Sequence, residues 1–133
     1  MIEIRALQAA VALAALVPVL AGAIGAYDPG MLDLISSQPQ TVTHAAYLSG
    51  LLLGIGLGFW SCIPAIESKT GRFTLLTALV VMGGLVRLLA AIRLSAWTPL
   101  IIGPLVMELV VAPALCLWQR RLSKVTPSRP FAT

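Results

Sequence analysis

Four long apolar runs divide the chain, and short polar segments separate them. The runs cover residues 6–26, 44–63, 73–94 and 97–118. An α-helix rises about 1.5 Å per residue, so about 20 apolar residues cross the hydrocarbon core of a bilayer. Each run has that length, and each predicts one membrane-spanning helix. The breaks carry turn chemistry. Asp28-Pro29-Gly30 stops the first helix, and Pro39 stands just before the second. Between them, Met31, Leu32, Leu34 and Ile35 predict a short stretch lying flat on the membrane surface. Pro64 ends the second span, Lys69-Thr70-Gly71-Arg72 forms the next loop, and residues 95–99 form a tight turn. Loops this short make their flanking helices antiparallel neighbours. The predicted fold is all-α: an integral membrane four-helix bundle as a single domain over residues 1–121. A polar, disordered tail over 122–133 follows, with Pro127 and Pro130 in it.

Composition strengthens this picture. Of 133 residues, 59% are hydrophobic and 11% are charged, and the mean hydropathy is +0.96. A soluble domain carries about 25% charged residues, so a water-soluble fold is excluded. The net charge of +4 does not point to nucleic acid, because the basic residues lie between apolar runs and form no single patch. Arg5, Lys69, Arg72, Arg120, Arg121, Lys124 and Arg129 fall on one side of the predicted bundle. Arg93, Asp28 and Asp33 fall on the other. The positive-inside rule then puts both termini in the cytoplasm, with a bacterial inner membrane as the expected multi-pass location. Trp60, Trp97 and Trp118 all fall at span ends, where the indole prefers the interface. A rival reading makes the start of the chain a signal peptide cleaved after Ala21-Gly22-Ala23. The apolar run is longer than a usual signal core and Glu3 weakens a basic start, so a retained first helix is expected.

Two charges stand deep inside the apolar runs: Arg87 in the third and Glu108 in the fourth. A charged side chain at the centre of a membrane helix costs about 2.5–3.5 kcal/mol, so such residues face the bundle interior and take partners. Counted from the cytoplasmic ends of their spans, Arg87 is about 22 Å deep and Glu108 about 16 Å. That offset is within reach of two long side chains on antiparallel neighbours, and arginine suits bidentate contact with a carboxylate. Two readings stay open. The pair fixes helix register, or one or both groups bind a ligand or act catalytically. His44 stands at the outer start of the second span with Tyr47 one turn deeper on the same face. Either the two are plain interfacial residues or, with Arg93, they line the mouth of a polar pocket.

Small residues mark where helices can approach. Gly50, Gly54 and Gly58 recur every four residues as a doubled G-x-x-x-G, a packing stripe also suited to homo-oligomers. Gly83 and Gly84 precede Arg87 by one turn, and Ala90 and Ala91 follow it. Pro18, Pro104 and Pro113 lie inside spans and predict kinks or freed carbonyls. Cys62 and Cys116 form no Cys-x-x-Cys, so no metal site or cofactor is expected. No metalloprotease, nucleophile-elbow or phosphate-loop motif occurs. Small multidrug exporters carry their glutamate in the first helix, where this chain has no acidic residue after Glu3.

The segments His44-Ala45-Ala46-Tyr47-Leu48-Ser49-Gly50, Leu53-Gly54-Ile55-Gly56-Leu57 and Gly83-Gly84-Leu85-Val86-Arg87-Leu88, with Glu108 and Pro113, carry a resemblance. The chain resembles the bacterial "domain of unknown function 4345" family over nearly its whole length. Members often have an arginine between the histidine and the tyrosine, where this chain has Ala46. The resemblance implies a four-helix membrane topology and singles out His44, Arg87 and Glu108. The family has no established activity, so it implies no substrate. Three functions fit the residues. The first is binding of a lipid-like molecule or a membrane partner within or beside the bundle. The second is an enzyme on a lipophilic substrate with Glu108 as acid or base tuned by Arg87. The third is a small transporter with Glu108 as proton carrier.

Overall fold

The computed structural model of the chain describes residues 1–28 and 38–125. Among them it has four helices long and apolar enough to cross a membrane. Helix α1 is Ile2–Tyr27, α2 is Pro39–Cys62 with a 3-10 turn at Ile63–Ala65, and α3 is Thr70–Leu94. The fourth span is continuous but not uniform. It comprises α4 (Pro99–Val106), a π turn (Met107–Val111) and α5 (Ala112–Val125). The surface stretch expected at Met31–Ile35 and the prolines of the tail lie outside the described residues.

Each span runs past its apolar segment at one end at least, whereas the fourth begins at Pro99 and not at Trp97. Arg5, Thr41, Arg72 and Arg120 are helical although polar, because hydropathy marks the hydrocarbon layer whereas backbone hydrogen bonding continues beyond it. Pro39 is the first residue of α2 and not a spacer before it, a position where the missing N–H costs nothing. His44 therefore stands more than one turn inside the helix. The fourth span reaches Val125, so Leu122–Val125, expected in the disordered tail, are helical.

The chain forms two compact units: Met1–Ala10 with the chain from Cys62 onward, and Val11–Ser61. In the second unit α1 and α2 pack through glycines. A Cβ built on Gly22 would stand 2.5 Å from the backbone N of Leu53, and one on Gly56 would stand 2.6 Å from Cγ2 of Val19. Trp60 donates its indole N–H to the Ala12 carbonyl at 3.2 Å, so it is tied across the helix pair.

In the first unit α3 lies against the fourth span. Phe73, Thr77, Gly84 and Ala91 are its buried positions, a spacing of four and then seven that keeps one seam toward the neighbour. Leu105, Cys116, Gln119 and Leu122 are buried on the fourth span. Two glutamines secure the turn after α2, where Pro64 halts the helix. Gln8 donates to the Ile63 carbonyl at 2.7 Å. Gln119, fully buried, donates through Nε2 to the Ile66 carbonyl at 2.7 Å and to Thr70 Oγ1 at 2.8 Å. Both supply donors to carbonyls near a helix end, where the intrahelical ones run out.

Large apolar side chains elsewhere stay open: Leu79 is 51% exposed, Met82 62% and Val86 64%. Soluble monomers rarely leave contiguous apolar surface of this extent uncovered. Lipid is the solvent that suits it, and the protein is a multi-pass membrane protein.

Candidate functional site

Arg87 and Glu108 meet. Nε of Arg87 donates to Oε2 of Glu108 at 3.1 Å, and Nη2 donates to Oε1 at 3.0 Å. This is a bidentate fork, the strongest form of such a contact. Helix geometry explains how it forms. Measured from the turn that joins the spans, Arg87 is seven residues before Leu94, about 10 Å deep, and Glu108 is nine residues after Pro99, about 14 Å deep. Every Cα–Cβ bond tilts toward its own helix N-terminus. On α3 that direction leads away from the connecting turn, and on the fourth span it leads toward it. The two side chains therefore point toward each other along the helix axes and close an offset of about 3 Å.

Gly84 sets the lateral distance. A Cβ there would lie 2.8 Å from Cβ of Glu108 and 2.9 Å from Cδ2 of Leu109, so only a glycine lets α3 come this near. The connecting turn holds the antiparallel arrangement. Ser95 takes a left-handed conformation with φ 50°, and the N–H groups of Ser95 and Ala96 return to the carbonyls of Ile92 and Ala91. This pattern commonly closes a helix with glycine, and here serine occupies the position.

The backbone at Glu108 is itself altered. The Ala112 N–H reaches back five residues to the Met107 carbonyl. The next donor in line would be residue 113, a proline with none. The Glu108 carbonyl is thus left without a helical donor. Single π turns inside α-helices recur at functional sites. Pro113 was expected to free a carbonyl, and the residue affected is the one that carries the charge. By contrast, Pro18 sits within one uninterrupted α1.

The pair is asymmetric in exposure. The Arg87 side chain is 43% exposed and that of Glu108 16%. Guanidinium has five N–H donors, of which Glu108 takes two. No described residue accepts from the other three. The surroundings on α3 are small: Gly83 has no atom within 4 Å of where its Cβ would stand, and Ala90 is exposed.

His44 and Tyr47 are exposed on α2, in the Val11–Ser61 unit. Arg93 is exposed in the last turn of α3, where a cation suits the helix C-terminus. Gly50 and Gly54 have nothing within 4 Å of a built Cβ, so the close approach of α1 falls on Gly22 and Gly56. The polar residues that sequence reading passed over are Gln8, Thr70, Thr74 and Gln119. Arg120 donates to Thr74 Oγ1 at 3.2 Å, and Thr74 Oγ1 lies 3.9 Å from Sγ of Cys116. A glutamine inside an apolar run, Gln8, or at the end of one, Gln119, is the available signal, since a buried amide must find partners.

The family model for a domain of unknown function, DUF4345, matches residues 6–119. The chain belongs to this family. The matched region reaches into all four spans and includes Arg87, Glu108, Gly84 and Pro113. No curated protein and no solved structure matches the chain. Membership of DUF4345, a domain of unknown function, assigns no activity.

Proposed function

We propose that this DUF4345 protein is a binding protein of the bacterial inner membrane that holds a lipophilic molecule by its polar group at the Arg87–Glu108 pair. One observation carries the reading: a bidentate ion pair lies within two apolar spans, and its arginine is 43% exposed with three N–H groups unaccepted by any described residue. Hydrocarbon offers no acceptor for those groups, and leaving them bare is costly. A bound polar group would satisfy them. The basic residues Arg5, Lys69, Arg72, Arg120, Arg121 and Lys124 support an orientation with both chain ends in the cytoplasm, which puts the pair in the outer half of the bilayer.

Catalysis or proton carriage by Glu108 is less favoured, because both its oxygens are engaged by the guanidinium. The test is native mass spectrometry of protein purified in mild detergent. Wild type is expected to carry a lipophile at near one-to-one ratio. The double variant Arg87→Leu/Glu108→Leu, with the pair replaced by apolar groups of similar bulk, is expected to fold and to carry none. Wild type that is empty under these conditions would refute the binding function.

A further inference from the structure

We infer that the polar group recognised here is an uncharged hydrogen-bond acceptor, a carbonyl oxygen on a lipophile, and not an acid or an amine. The inference rests on the binding function proposed above and names its ligand class. Charge comes first. Glu108 neutralises Arg87 at 3.0 Å, so the pair offers an incoming anion no net charge. An anion would also lose its hydration on entering hydrocarbon, with no net charge to repay it.

Exposure comes second. The donor is the open member at 43% and the carboxylate the covered one at 16%, so the site presents N–H groups outward. A primary amine or ammonium brings donors where acceptors are wanted, and both oxygens of Glu108 already accept from Arg87. A carbonyl oxygen has two lone pairs, no proton and a small desolvation cost. It can accept from the free Nη1 while its chain lies in the hydrocarbon. Space comes third. The open side of Gly83, one turn before Arg87, gives a head group room against α3.

An ester carbonyl of a bilayer phospholipid and the carbonyl of a free ketone or quinone share this chemistry. The test uses delipidated protein in an alkyl maltoside, with four probes of equal chain length: dodecyl methyl ketone, tetradecane, tetradecanoate and tetradecylamine. Adducts are counted by native mass spectrometry. The ketone is expected to be retained about tenfold over the alkane, as one hydrogen bond to a charged donor allows. It should also exceed the acid and the amine, and fall to the alkane level in Arg87→Leu/Glu108→Leu, whose folding circular dichroism checks. Preference for the acid or the amine overturns the inference and leaves the binding function standing. Equal retention of all four overturns it too, and the lipophile carried by freshly purified wild type then decides the broader function by itself. Should the double variant not fold, the wild-type ranking alone decides. If a diester phospholipid displaces the ketone and its diether analogue does not, the carbonyl comes from the bilayer. If neither displaces it, a free carbonyl lipophile is the ligand, and both results support the inference.

Discussion

Gly83 and Gly84 are neighbours in sequence and opposites in surroundings, which makes them a controlled experiment on helix approach. Alanine at either position gains the same helix propensity, about 0.8–1.0 kcal/mol relative to glycine. At Gly83 nothing lies within 4 Å of the new methyl, so the gain stands alone. At Gly84 the methyl would be 2.8 Å from Cβ of Glu108, 2.9 Å from Cδ2 of Leu109 and 3.1 Å from its Cγ. The first of these is anchored to the backbone and cannot swing away. Overpacking of this kind costs about 1–3 kcal/mol. Because the propensity terms cancel, the difference between Gly84→Ala and Gly83→Ala should equal the packing term alone, about 1–3 kcal/mol in favour of the latter. The assay is reversible unfolding by dodecyl sulfate titration in mixed micelles, followed by circular dichroism. Gly84→Ala should also weaken the coupling between Arg87 and Glu108 in a double-mutant cycle, since it pushes the carboxylate away. Two alanine variants equal in stability within about 0.5 kcal/mol would refute the close approach of α3 to the fourth span.

In the α1–α2 pair, Gly22→Ala should destabilise more than Gly56→Ala, because the obstacles at Gly22 are the backbone N and Cα of Leu53 and the Ser49 carbonyl, whereas at Gly56 the nearest is the tip of Val19. The same titration compares them. Gln119→Leu leaves the Ile66 carbonyl without its side-chain donor and should cost about 1–3 kcal/mol, read as a lowered unfolding midpoint. Ser95→Gly relieves a left-handed backbone at a non-glycine residue and should stabilise by about 1 kcal/mol, with helix content unchanged by circular dichroism.

The spans were legible because apolar runs of membrane length have no other stable use, and Arg87 and Glu108 were legible because charge inside such runs must be explained. Three things were not legible, each for a physical reason. Helix ends extend into polar sequence because the backbone hydrogen bonds of Arg72 or Arg120 do not depend on side-chain hydropathy. The glycine contacts fall on Gly22 and Gly56 because a G-x-x-x-G stripe says where a backbone is approachable, not which face receives a neighbour. The π turn escaped because Pro113 announces a lost N–H without saying whether the helix kinks or rewinds. Here it rewinds, and the loose carbonyl falls on Glu108.

Register and recognition make different demands on the pair, and a charge swap separates them. Register is met by any two opposite charges whose side chains converge, and convergence depends on helix direction, not on which residue is acidic; recognition also needs the guanidinium at the open position. Arg87→Glu/Glu108→Arg should therefore recover much of the stability that either single charge reversal loses. A buried pair broken on one side costs about 3–5 kcal/mol, so the recovery is large enough to measure by dodecyl sulfate titration. The swap changes what the site shows to a ligand. Position 87, at 43% exposure, would then present carboxylate oxygens, and the guanidinium would sit at the covered position, at 16%. An acceptor-bearing lipophile finds no donor there. The swapped protein should be nearly as stable as wild type and retain dodecyl methyl ketone no better than tetradecane. Undiminished ketone retention in the swapped protein would show that Arg87 is not the donor, and the pair would then serve register alone.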